Sequence, residues 1–172
     1  MATRLNLSAL SLQDALDLAT AIEEEACKRY ALFANQLGRG GSGPGSFFAS
    51  MAQNEEKHRV QLSDRRKAMF GDAPARVSLD DLFDVEAPEV GAPRRSMSLL
   101  QAYELAKSSE QKAYDFYDGA LPSITDPDVR TLFVELRDEE TEHVRMIEEA
   151  VAKLPPNANV ELDFDIDESP AL

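Results

Sequence analysis

The chain repeats itself once, and this repeat limits its fold more than any other feature of the sequence. Displaced by 87 positions, Ser11, Leu12, Ala15, Leu18, Ala19, Glu23, Ala26 and Tyr30 fall on Ser98, Leu99, Ala102, Leu105, Ala106, Glu110, Ala113 and Tyr117, and every pair is identical. Displaced by 85, Phe48, Glu55 and His58 fall on Phe133, Glu140 and His143, again identical. The retained apolar positions recur every three or four residues, the spacing of a helix that buries one face. Any duplicated helical hairpin would keep such positions. Packing alone gives no reason to keep a glutamate, a Glu-x-x-His and a tyrosine as well.

The period predicts four helices: Ser11 to Leu37, Ser46 to Phe70, Ser98 to Leu121, and Pro127 to Lys153. The stretch from Gly38 to Gly45 ends the first, Gly71 closes the second, and Pro155-Pro156 stops the fourth. Pro127 suits the first turn of a helix. Between the second and third helices, Gly71 to Met97 form a long connection interrupted by Pro74, Pro88 and Pro93, with room for a lone turn around Asp80 to Phe83. Short first and last connections with one long crossover make the expected fold all-α, a ferritin-like four-helix bundle. The bundle is expected over residues 1–153, with an acidic tail over 154–172. Within the tail, Val160 to Asp167 alternate apolar and acidic residues. They read either as a disordered acidic tail or as an extended segment lying on the bundle or a partner chain.

Composition narrows the function. The 172 residues fit one domain with a sizeable core. The net charge is −14, which repels phosphate backbones and argues against a nucleic-acid partner, while it would attract cations. No apolar run approaches the roughly 20 residues of a membrane span. Met1-Ala2-Thr3-Arg4 lacks the apolar core of a secretory signal, so the expected location is cytoplasmic. Cys27 is the only cysteine, which rules out an internal disulfide or a four-cysteine iron site within this chain. Its neighbours Ile22, Ala26 and Ala31 point to a buried, inert thiol.

The polar members of the repeat sit in the apolar stripes. Ala19 and Ala26 lie one turn on either side of Glu23, and Ala106 and Ala113 frame Glu110 in the same way. Glu24 and Glu25 point elsewhere, toward Thr20, Lys28 and Arg29. Glu55 follows Phe48 and Met51, and Glu140 follows Phe133 and Leu136, on the same faces. In each Glu-x-x-His the two side chains project from one helix face. If all four stripes face inward, four carboxylates and two imidazoles meet in an apolar core. Burying four unpaired charges costs many kcal/mol, whereas two divalent cations cancel them. Two single Glu residues plus two Glu-x-x-His motifs form the ligand set of bundle-core di-iron and di-manganese sites. Mixed carboxylate and imidazole ligation suits iron, or manganese, better than zinc. The expected metal ligands are therefore Glu23, Glu55, His58, Glu110, Glu140 and His143. Tyr30 and Tyr117 lie two turns, about 10.5 Å, beyond Glu23 and Glu110. Each reads as a core aromatic or as a hydrogen-bond donor to a carboxylate ligand held by another helix.

With Glu23…Tyr30, Glu55-Glu56-Lys57-His58, Glu110…Tyr117 and Glu140-Thr141-Glu142-His143, the sequence resembles the rubrerythrin branch of the ferritin-like superfamily, over about Leu12 to Lys153. The resemblance implies a non-haem di-iron site that reacts with peroxide or dioxygen. In it Glu55 and Glu140 would bridge, and Glu23, His58, Glu110 and His143 would be terminal ligands. It also implies pairing into a homodimer or larger homo-oligomer, with exchange of helices hinged at the Gly38–Gly45 loop or the crossover. Two departures stand out. The four-cysteine iron site that full-length rubrerythrins carry is absent here, so electrons would come from an external, unidentified donor. The additional inward glutamate that rubrerythrins carry three residues after the third-helix ligand is Ala113 here. That leaves a symmetric six-ligand set, closer to ferroxidase sites of ferritins.

Three functions follow as expectations. The first is an oxidoreductase that reduces peroxide or oxidises ferrous iron with dioxygen. The second is an iron-binding ferroxidase module for storage or detoxification. The third is a non-catalytic helical scaffold with a relic site.

Overall fold

In the computed structural model, residues 6–38, 43–77 and 96–159 are described; the tail beyond 159, residues 39–42 of the Gly-rich loop and the turn expected at Asp80 to Phe83 lie outside them. Four helices make up the described structure: α1 Leu12–Leu37, α2 Pro44–Phe70, α3 Leu99–Ala120 and α4 Pro127–Val151. No strand occurs among the described residues. The architecture is the expected all-α four-helix bundle.

The helix starts explain part of the repeat. Ser11 caps α1 by accepting from the Asp14 amide, while the Asp14 carboxylate accepts from Ser11 in return. Ser98 caps α3 in the same reciprocal way with Gln101. The first retained pair, Ser11 and Ser98, is thus a pair of caps. Asp126 caps α4 by accepting from the amides of Asp128 and Val129, with Pro127 in the first turn. Helix α2 starts earlier than its periodicity indicated, at Pro44 instead of Ser46, because a proline needs no amide partner in a first turn. Helix α3 ends at Ala120 and runs into a short 3-10 turn over Leu121–Ser123 that contains Pro122.

Gly45 sits where α2 leaves the loop. A Cβ there would fall 1.8 Å from the Gly38 carbonyl oxygen and 2.6 Å from its carbon. Only glycine allows the two chain segments to pass so closely.

Two apolar layers divide the core. One holds Ala15 to Ile22 of α1, Leu62 of α2, Ala113 to Ala120 of α3 and Val129 to Leu136 of α4. The other holds Tyr30 to Ala34 of α1, Phe48 and Met51 of α2, Met97 to Ala106 at the start of α3, and Ile147 of α4. Early α1 therefore shares a layer with late α2, late α3 and early α4. Helices α1 and α4 run one way, and α2 and α3 run the other. Because α2 and α3 are parallel, the chain between them must return along the bundle, which is why that connection is long. Glu23, Glu55, Glu110 and Glu140 fall between the two layers and are at most 3% exposed.

The short 3-10 turn Leu7–Ala9 precedes α1, and Asn6 caps it. After α4, the Ala158 carbonyl accepts from the Leu100 amide at 3.1 Å, so the chain returns to the first turn of α3. Cys27 is half-buried, not fully buried as its neighbours indicated, with its sulfur 3.9 Å from Glu56 Oε2. Desolvation and the nearby Glu56 raise its thiol pKa, so it stays protonated.

Candidate metal centre

The four helices bring all six sequence-derived residues to the middle of the bundle. Glu24 and Glu25 turn outward and pair with Lys28 and Arg29 one turn on, which leaves Glu23 alone of the three on the inward face. Glu110 on α3 is completely buried. Its Oε1 accepts from the Tyr30 hydroxyl of α1 at 2.5 Å, and its Oε2 lies 2.9 Å from His143 Nδ1 of α4. Glu140 Oε2 lies 3.5 Å from the same nitrogen. The His58 and His143 rings stack nearly parallel, with centroids 4.9 Å apart and planes 7° apart. Glu23 shares a hydrogen bond with Glu55.

Two groups of ligand atoms lie close enough to hold a cation. Glu55, His58 and His143 form one, and Glu110, Glu140 and His143 form the other, with the atoms of each within 4.8 Å of one another. Glu23 falls in neither group and reaches the centre through its hydrogen bond with Glu55. Tyr117, the repeat partner of Tyr30, is buried edge-on against Phe116 and Phe133 at centroid distances of 5.2 Å and 5.4 Å. At the other end Phe33 meets Tyr30 edge-on, while Phe48 stacks on it with the planes 21° apart.

Burial and charge set the protonation. Desolvation, with the Glu110 charge added, pushes Glu55 up to about 7. Desolvation also pushes Glu140 well above the carboxylate range, and the Glu110 charge acts in the same direction. Burial acts to raise Glu110 as well, but the bonds from His143, Tyr30 and Glu140 outweigh it and hold Glu110 below its ordinary value. Burial acts to lower His143, yet its bonds to Glu110 and Glu140 win and raise it to about 11. His58 goes the other way, lowered by desolvation and by repulsion from His143. Glu110 and Glu140 are thus driven in opposite directions, and His143, raised to about 11, holds its proton between them near neutral pH.

This arrangement fits a metal centre. Glu55 Oε1 is buried without a hydrogen-bond partner, an unfavourable state for a carboxylate oxygen that a bound cation would correct. The donor set is oxygen and imidazole nitrogen, suited to iron or manganese. A larger groove of about 640 Å³ lies on the outer α1–α2 face beside Asp17, Lys28 and Arg66, away from both histidines.

The sequence profile of rubrerythrin matches residues 14–159. The chain belongs to the rubrerythrin family. Among solved structures, this rubrerythrin-family bundle is similar to the crystal structure of an uncharacterized conserved protein from Magnetospirillum magnetotacticum MS-1, with 26% identity and a TM-score of 0.66. The match covers 85% of this chain and 97% of that one. No functionally curated protein matches the chain. None of the described helices is long and apolar enough to cross a membrane.

The repeat located the six residues and both tyrosines, but it did not reveal two partners. One is the contact of Tyr30 with Glu110, and the other is the dual contact of His143 with Glu110 and Glu140. The spacing of Glu23 and Tyr30 along α1 allowed a donor to another helix without saying which carboxylate would accept.

Proposed function

We propose that this rubrerythrin-family chain is a di-iron oxidoreductase in which Glu23, Glu55, His58, Glu110, Glu140 and His143 hold two iron ions, with manganese the alternative metal. The observation that carries this reading is the pair of buried carboxylate–imidazole groups that meet at His143. Bound iron would supply the electrons for reducing peroxide or dioxygen. The protein's own part is to bind, orient and release protons. Glu140 and His143 would give up protons as metal binds, so affinity would rise with pH. The Tyr30 hydroxyl fixes one Glu110 oxygen, which leaves the other directed at His143, and Glu110 so held would serve as a metal ligand. The apolar layers above and below close the centre along the bundle axis.

Ala113, fully buried three residues after Glu110, favours ferrous oxidation by dioxygen as the second reading, because it keeps the ligand set at six. On that reading the chain is a ferroxidase module for iron storage or detoxification. On the first reading electrons come from an external donor, since one cysteine cannot build an iron–sulfur or four-cysteine centre, whereas on the second the ferrous substrate is itself the reductant. Self-association into a homodimer or larger assembly and a cytoplasmic location belong to the same proposal.

Elemental analysis of protein purified without chelator tests the reading, beside a Glu55→Ala/Glu140→Ala double variant. About two iron or manganese ions per chain, lost in the variant, are expected. Anaerobically reduced protein mixed with peroxide, and separately with dioxygen, then distinguishes the two activities. Metal below one per chain, unrestored by anaerobic ferrous iron and unchanged in the variant, would leave a helical scaffold with a relic site.

A further inference from the structure

The α2–α4 seam breaks the repeat in a way that opens one end of the centre. At the His58 end a cavity of about 100 Å³ is lined by His58, Gln61, Arg65, Glu135 and Glu139 above the apolar Leu132 and Leu136. That volume holds several waters. Displacement by 85 residues maps the lining of this cavity onto the opposite end of the seam. There Gln61 becomes Met146, Arg65 becomes Ala150, Glu135 becomes Ser50 and Glu139 becomes Asn54. Leu132 becomes Phe47, whose ring lies 4.0 Å from that of Tyr103. The mapped residues at the His143 end carry no charge, and His143 is only 5% exposed. His58 is half-buried and forms the inner wall of the open cavity.

Charge at the open mouth favours a cation. Arg65 is held by Glu135 at 2.7 Å, which neutralises both. Glu139 remains as the negative group on the cavity wall. Behind His58 lies the 1% exposed Glu55, whose Oε1 has no hydrogen-bond partner and whose ligand atom is within 4.8 Å of that of His58. A carboxylate at the mouth, an imidazole at the wall and an unpartnered carboxylate oxygen behind it form a graded path for a divalent ion.

We infer that divalent cations reach the centre through this seam, with Glu139 taking the incoming ion and passing it to His58. The inference rests on the metal-binding reading above and adds a direction to it. Glu139 acts here as a transfer residue and not as a ligand in the loaded centre. The route therefore governs the rate of loading and leaves the final stoichiometry alone.

Cobalt(II) uptake by the full-length apoprotein tests this, followed by stopped-flow absorbance in the visible, with stoichiometry from equilibrium titration. Glu139→Gln removes the charge, and Gln61→Trp fills the cavity from an exposed position. Each is expected to slow association roughly 10-fold while the ions bound per chain stay unchanged. Asn54→Asp, which adds a carboxylate at the mirrored closed end, is expected to leave the rate as it was. Normal wild-type uptake with unaltered rates in both Glu139→Gln and Gln61→Trp would overturn the route alone. A fall in stoichiometry for Glu139→Gln would also overturn it, by making Glu139 a ligand. A wild-type chain that takes up no cobalt(II) would overturn the metal-binding reading, and the route with it.

Discussion

His58 and His143 occupy corresponding places on α2 and α4, three residues beyond Glu55 and Glu140, and their rings stack 4.9 Å apart. His143 is clamped between Glu110 and Glu140 and its pKa rises to about 11. His58, half-buried against that charged neighbour, is driven down from its ordinary value. The difference arises from the residues around each motif and not from the motif itself. Duplication fixed where the ligands stand along the helices. The positions that drifted apart afterwards, Gln61 against Met146 and Glu139 against Asn54, decide which end is wet and charged. An environment can therefore give two identical motifs different work.

The comparison can be broken most severely at Glu110. Glu110→Ala leaves the His143 charge buried without its main partner, and a loss of about 3–5 kcal/mol is expected in urea denaturation with chelator present. Glu23→Ala, at the corresponding place on α1, is expected to cost less than half as much, since no charged histidine loses its partner there. Equal losses would show that the two halves are electrostatically alike.

Acidity sharpens the same contrast. Glu55 has its folded pKa raised from 4.5 to about 7, so the folded apoprotein binds its proton more tightly than the unfolded chain does. Stability contributed by that proton is full below about pH 4.5 and is lost as pH rises toward 7, by up to roughly 3 kcal/mol. The Tm of chelated protein is expected to fall by roughly 5–10 °C across that window. Glu55→Gln should flatten that slope, and a Tm that rises with pH in chelated wild type would contradict the assignment.

Smaller effects complete the series. Tyr30→Phe removes a buried hydroxyl that donates to an ionised carboxylate, and about 1.5–3 kcal/mol should be lost in the same denaturation assay. Lys107→Gln breaks an exposed pair with Glu148 on the outside of α3 and α4, where about 0.5 kcal/mol or less is expected. A larger cost there than at Tyr30 would mean that surface charge, and not the buried centre, governs stability.

Much of this was legible in the residues. The four helices followed from their 3.6-residue period, and the inward glutamates were marked by alanines on either side of Glu23 and Glu110. The long crossover pointed to the parallel course of α2 and α3. What could not be read was whatever depends on distances between helices. Periodicity places Tyr30 on the inward face of α1 without saying that its hydroxyl reaches Glu110 on α3. It placed Cys27 among apolar neighbours on its own helix, but the exposure of that thiol depends on the small residues Ala49 and Ala52 of α2, which leave a groove beside it. The polar cavity at His58 likewise draws its wall from two helices, so neither helix shows it alone.

The tight approach of Gly45 to Gly38 has a reach well beyond its own turn. It sets the axial offset between α1 and α2, and with it the height at which Glu55 faces Glu23, ten residues and about 15 Å further along α2. A methyl group at position 45 would have to push α2 along or away from α1, and helices transmit such a shift almost rigidly. The spacing of Glu23 and Glu55 within the centre is in this sense gauged at the turn. Anyone wishing to retune that spacing, for a larger ion or a longer bridge, has a handle there that touches none of the ligands.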